Sequence, residues 1–92
     1  MTDLANKNVL ISISLKSERL SLFNYFDNKE CEMIYTANDI KSAIDVLENE
    51  SIQYLVIECS NDWVNKNQDI ELIYKICPEI KIILLIFCSC GF

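Results

Sequence analysis

Four short apolar runs recur along this chain, and stretches with helical periodicity separate them. The runs cover residues 9–13, 32–35, 54–57 and 80–87. Strands that alternate with helices are typical of parallel β-α-β units. Because crossovers between parallel strands are right-handed, this order predicts an α/β fold with an open, doubly wound parallel sheet in the strand order 2-1-3-4.

The three helical segments differ in how clearly their ends are marked. The first is expected over about 18–27, with Ser17 as its N-cap. The second follows Asp39, and its apolar residues have the spacing of one helix face: Ile40, Ala43, Ile44 and Leu47. The third is expected over about 68–77, after a polar loop from 59 to 68. Its predicted buried face is formed by Ile70, Ile73, Tyr74 and Cys77.

The last apolar run, residues 80–87, comes without a helix or strand after it. A continuously apolar strand is typical of a position that is buried on both faces of a parallel sheet. We therefore expect one domain over 1–92, with its core at 7–88, that resembles the front part of a larger α/β fold.

Composition and charge exclude several classes of function. The net charge is −6 with eight Lys and Arg residues, and no basic stripe is present to bind nucleic acid. The chain starts without the basic and apolar pattern of a signal peptide, and about eight apolar residues are too few to span a membrane. Five cysteines without histidine suit neither a disulfide framework nor a zinc site. We expect a cytoplasmic protein that binds neither nucleic acid nor membrane.

The order of the elements and several local patterns resemble the receiver domain of bacterial response regulators. The matching segments extend over about 7–88: Val9-Leu10-Ile11, Arg19, Tyr35-Thr36-Ala37-Asn38-Asp39, Ala43, Leu47, Tyr54-Leu55-Val56-Ile57-Glu58, Asp69-Ile70-Glu71-Leu72-Ile73, Pro78 and Ile82-Ile83-Leu84-Leu85. The resemblance rests on their order and spacing. It implies a flavodoxin-like fold whose last strand and helices are missing here, and a role in two-component signal transduction.

In that family a kinase histidine passes a phosphoryl group to an aspartate at the end of strand three, beside a Mg²⁺ ion. By the resemblance, the acid pair that holds the metal falls on Ile13 and Ser14, and the phosphoacceptor position falls on Glu58. The switch hydroxyl on strand four falls on Ile86. A single carboxylate is too little for tight Mg²⁺ binding, so we expect no metal and no cofactor.

These positions predict a pseudo-receiver that is not an enzyme, has no small-molecule substrate and acts through protein–protein contacts. Alternatives stay open. Glu58 could mimic a phosphorylated aspartate, or Cys59 or Asp62 could occupy the acceptor position. The chain could be the N-terminal regulatory fragment of a two-component transcription regulator. It could also be an enzyme, either a phosphoacceptor with an atypical acid site or a thiol catalyst using Cys59, Cys88 or Cys90.

The last apolar run also predicts an interaction surface. If no further strand pairs with it, the edge offers its backbone donors and acceptors to another chain. Ile82, Leu84 and Ile86 are the candidate residues of this interaction edge. We expect a protein partner and a homo-oligomer formed through the edge at 80–87.

Overall fold

The computed structural model describes residues 6–59 and 63–86, and of residues 59, 63–67 and 86 only the backbone. Within this range four strands alternate with three helices. The strands are β1 (Asn8–Ser12), β2 (Met33–Ala37), β3 (Tyr54–Cys59) and β4 (Lys81–Ile86), and the helices are α1 (Lys16–Asp27), α2 (Ile40–Asn49) and α3 (Trp63–Ile76). The strands pair in parallel in the order β2-β1-β3-β4. The predicted α/β class and strand order are confirmed.

The sheet carries one hydrophobic cluster on each face, because successive side chains of a strand point to opposite sides. Leu10 of β1 packs in one cluster with Ile73 of α3 and with residues of α2. Ile11 and Val56 pack in the other cluster with Phe26 of α1. These five side chains are almost fully buried, so burial of the central strands is the main stabilising contribution to the fold.

The starts of the first two helices differ in how they are capped. Asp39 is the N-cap of α2, as predicted, and its side chain accepts a hydrogen bond of 2.8 Å from the Ser42 backbone N–H. The predicted cap at Ser17 is wrong. Helix α1 begins at Lys16 after an extended Leu15, which makes no side-chain cap bond. Its first turn closes through the bond from the Arg19 N–H to the Leu15 carbonyl, 3.0 Å long, so Ser17 lies inside the helix.

Helix α3 is longer at its start than the sequence pattern indicates. The segment from 63 to 67 was predicted as loop, but α3 begins at Trp63 and ends at Ile76. Once a packed segment has nucleated a helix, each further turn costs little, so polar residues can extend it. Tyr74 is also not on the buried face: it is 43% exposed, whereas Ile73 is fully buried.

Strand β4 lies at the edge of the described sheet, beside β3 only. Its Leu84 is 38% exposed, whereas Val9, Leu10 and Ile11 of the central strand β1 have no exposed surface. The expectation that this apolar strand is buried on both faces is therefore wrong for Leu84. An interaction through this edge stays a prediction.

Candidate functional site

The candidate site lies where the parallel strands β1 and β3 end, between the two innermost strands of the sheet. Ser12 is the last residue of β1, and Glu58 lies next to the end of β3. In open α/β sheets, ligands bind in the crevice at these carboxyl ends of the strands. The side chains that meet here therefore decide what chemistry the fold can support.

The Glu58 side chain contacts the loop that follows β1. One of its carboxylate oxygens, Oε1, accepts a hydrogen bond of 3.0 Å from the Ser14 backbone N–H. A carboxylate that accepts from an N–H group makes a charge-assisted bond, which is stronger than a neutral one. The bond joins Glu58 to Ser14, which the resemblance assigns to the acceptor and to one of the acid-pair positions, although the two residues are 44 positions apart.

Arg19 reaches back from the first turns of α1 to the same loop. Its Nη1 atom donates to the Ile13 carbonyl at 2.7 Å and to the Ser14 carbonyl at 3.2 Å. The N–H group of this loop thus donates to a carboxylate, and its carbonyl oxygens accept from a guanidinium. The positive charge of Arg19 therefore lies close to a loop that carries two acids in the receiver family.

The start of α2 also contacts this end of the sheet. The Ser12 hydroxyl donates to the Asp39 carbonyl at 3.3 Å, which connects the end of β1 to the N-cap of α2. Backbone and side-chain hydrogen bonds from Ser42 hold the pKa of the Asp39 carboxyl below its usual range. The Asp39 side chain is therefore used in capping the helix.

We call this set of residues the closed end; its members are Ser12, Ile13, Ser14, Arg19, Asp39 and Glu58. The Ile13 side chain is fully buried and carries no oxygen that could bind a cation. In the described part of the chain, no three His, Cys, Asp or Glu residues come together to hold a metal ion. Mg²⁺ requires an octahedral set of oxygen ligands. Of the two carboxylates at the closed end, that of Asp39 caps α2, which leaves that of Glu58.

The other predicted site residues are placed only in part. Ile86 lies at the carboxyl end of β4, paired in register with Cys59 of β3, and both side chains lie outside the described residues. Asp62, Cys88 and Cys90 also lie outside them. Ile82 and Leu84 of the predicted interaction edge do lie on the edge strand β4.

Two contacts of the closed end were not predicted from the sequence. Arg19 was noted for its place in the family pattern, without a partner, and the Ser12 hydroxyl was not assigned a bond. The sequence spacing could have indicated the Arg19 contact. An arginine six residues after Ile13 can reach back from the first helical turn to the carbonyls of the preceding loop. Nothing in the sequence pattern marks the Ser12 bond.

Comparison of the chain with protein-family models, with curated proteins and with solved structures gives no match. Among the described helices, none has both the length and the hydrophobicity that crossing a membrane requires.

Proposed function

We propose that this chain is a receiver-like module that binds another protein and does not accept a phosphoryl group. The observation that carries the proposal is the bond between the Glu58 carboxylate and the Ser14 N–H. A phosphoacceptor carboxylate has to be free to attack the phosphorus atom while a metal ion neutralises the phosphoryl charge. Here the carboxylate at that position instead holds the neighbouring loop.

The electrostatics of the closed end support the same conclusion. The guanidinium of Arg19 lies against the loop carbonyls of Ile13 and Ser14, and like charges at such short range repel each other. A divalent cation placed beside this loop would meet one positive group and a single carboxylate. Phosphoryl transfer needs an acid beside the acceptor to hold the metal ion, and neither Ile13 nor Ser14 supplies one.

The strand order and the packing of the helices support a receiver-like, doubly wound arrangement. Residues of α1 contribute to one hydrophobic cluster, and residues of α2 and α3 contribute to the other. A domain that keeps this scaffold without the reactive groups can still present its surfaces to a partner, since fold and chemistry are separable. Protein binding is therefore the function that we assign to it.

The proposal is tested by incubating the folded chain with Mg²⁺ and a small-molecule phosphodonor and measuring its intact mass. We expect no phosphorylated species from the natural chain. The matched control is the double variant Ser14→Asp with Glu58→Asp, which adds a second acid and restores an aspartate at the acceptor position. A phosphorylated species from the natural chain, lost in Glu58→Gln, would overturn the proposal.

A further inference from the structure

A surface cavity of about 310 Å³ lies between helix α1 and strand β2. The described residues that line it are Lys16, Arg19, Leu20, Phe23 and Thr36. The four residues of α1 are three or four positions apart, which is the spacing of one helix face. Thr36 lies on the side of the sheet that α1 covers, because Ile34, two positions earlier on β2, packs in the same cluster as Phe26 of α1. The helix and the strand thus form two walls of one cavity.

Two of the lining side chains are held in place by the rest of the fold. Arg19 donates through Nη1 to the carbonyls of Ile13 and Ser14, and Phe23 packs against the hydrophobic cluster on its face of the sheet. Both Arg19 bonds come from one of its three nitrogens, whereas a guanidinium has five N–H donors in all. A ligand in this cavity therefore meets a cation and an aromatic ring that are already positioned, which lowers the ordering cost of binding.

The lining carries positive charge without a carboxylate to balance it. Lys16 and Arg19 are cations, and none of the described residues that line the cavity is acidic. This differs from the chain as a whole, which has 14 acidic residues and eight Lys and Arg residues. The two acids of the closed end, Asp39 and Glu58, accept bonds from backbone N–H groups and do not line the cavity. The local charge therefore favours a negatively charged ligand.

The rest of the lining is apolar, apart from the hydroxyl of Thr36. Leu20 is 54% exposed, so a ligand that lies on it removes apolar surface from water. Cavities of roughly 300–1,000 Å³ with apolar walls and a few polar groups are typical of small-molecule sites. This cavity has about twice the volume of one of about 150 Å³ that holds benzene, so its size suits a body of two fused rings.

We propose that this cavity binds a small aromatic carboxylate. The carboxylate lies between Lys16 and Arg19 and accepts charge-assisted hydrogen bonds from both, and the ring system lies on Leu20 and Phe23. Both parts of the ligand are needed, because an ion pair at an exposed site gains little by itself, and a neutral ring leaves the two cations without an anion. The inference goes beyond the proposed protein-binding function and does not depend on it.

The test is a backbone amide NMR titration of the natural chain with naphthoate, and with acetate and naphthalenemethanol as the two halves of that ligand. We expect saturable naphthoate shifts concentrated at residues 16–23 and at Thr36. Each half should bind at least about tenfold more weakly than naphthoate. The naphthoate affinity should also fall as salt is raised, because salt screens the attraction between the carboxylate and the two cations.

Two variants remove one part of the site each, at exposed positions that the fold tolerates. Lys16→Ala removes a cation and Leu20→Ser removes apolar surface, and each should raise the naphthoate dissociation constant at least about threefold. The matched control is Lys41→Ala, which removes an exposed cation from α2, a helix that packs on the other face of the sheet. It should change the dissociation constant less than about twofold, and circular dichroism should report folded protein for all three variants.

Three results would overturn the site: no saturable naphthoate shifts in the natural chain, shifts centred away from α1 and Thr36, or equal dissociation constants in Lys16→Ala and Lys41→Ala. The site and the proposed function fail separately. A folded chain that does not bind naphthoate contradicts only the carboxylate site, and a chain that accepts a phosphoryl group contradicts only the proposed absence of phosphoryl transfer.

Discussion

The closed end and the β4 edge are two regions of one sheet whose polar groups are used in opposite ways. At the closed end, a carboxylate and a guanidinium bind the N–H and C=O groups of the loop after β1. At the β4 edge, the Lys81 N–H donates to the Gln53 carbonyl on the β3 side, so the N–H and C=O groups of Ile82, Leu84 and Ile86 point away from β3. The polar groups of the first region are bonded within the chain, whereas no strand of the described sheet lies beside the outward groups of the second.

The two regions differ in what each can still gain by binding. Polar backbone groups that are already bonded have little to gain from a ligand, whereas groups at an open edge gain a full set of hydrogen bonds on pairing. The closed end accordingly accounts for the proposed lack of phosphoryl transfer, and the β4 edge is the region at which we expect the proposed protein partner to bind.

The largest effect is expected from proline substitutions at two adjacent positions of β4. Ile83 directs its N–H toward β3, so Ile83→Pro removes a ladder bond and should lower the free energy of unfolding by about 3 kcal/mol. Leu84 directs its N–H outward, where proline is tolerated at an edge, so Leu84→Pro should cost less than about 1 kcal/mol. Urea unfolding of both variants, at concentrations where light scattering reports monomers, measures the difference. Equal losses would show that the assignment of inward and outward groups is wrong.

A smaller effect is expected at the closed end, from removal of the guanidinium. Arg19→Ala leaves the carbonyls of Ile13 and Ser14 without their charged donor and should lower the free energy of unfolding by about 1–2 kcal/mol. Lys16→Ala is the control, because Lys16 is an exposed cation on the same turn of α1 and should change stability by less than about 0.5 kcal/mol. If the two variants lose the same stability in urea unfolding, the Arg19 contacts do not hold the loop.

The smallest effect is expected at the N-cap of α2, and it depends on pH. The Ser42 hydrogen bonds lower the pKa of Asp39 from its usual 3.8. A group with a lowered pKa in the folded state stabilises the fold above its ordinary pKa, and that stabilisation is lost as the pH falls through the folded-state pKa. Asp39→Asn keeps the cap without titrating there. The thermal midpoint of the natural chain should therefore fall relative to that of Asp39→Asn below about pH 4. A difference between the two midpoints that does not change with pH would contradict this role of Asp39.

The alternation of apolar runs and helical periods was enough to predict the strand order and the cap at Asp39, because these depend on local pattern and on the handedness of crossovers. The exposure of Leu84 was not predictable in this way, since the apolar residues of β4 resemble those of the fully buried β1. Whether such a strand is central or at an edge depends on what lies beside it.

The contacts of the closed end were harder still to predict. The bond between Glu58 and Ser14 spans 44 positions and depends on how two strands align, which the pattern of apolar residues fixes only roughly. The resemblance to receiver domains marked Ile13, Ser14 and Glu58 as candidate positions, but it could not indicate that Glu58 would bind the loop or that Arg19 would donate to the loop carbonyls. Such long-range polar partners follow from the packed geometry.

We propose that the closed end binds neither Mg²⁺ nor a phosphoryl group, and a backbone amide NMR titration with Mg²⁺ followed by beryllofluoride measures this. We expect the amide signals of Ser14 and Glu58 to stay unchanged in the natural chain and to shift in the variant that combines Ser14→Asp with Glu58→Asp. Saturable shifts at Ser14 and Glu58 in the natural chain would show the opposite, because they would mean that this end of the sheet binds the metal and the phosphoryl mimic.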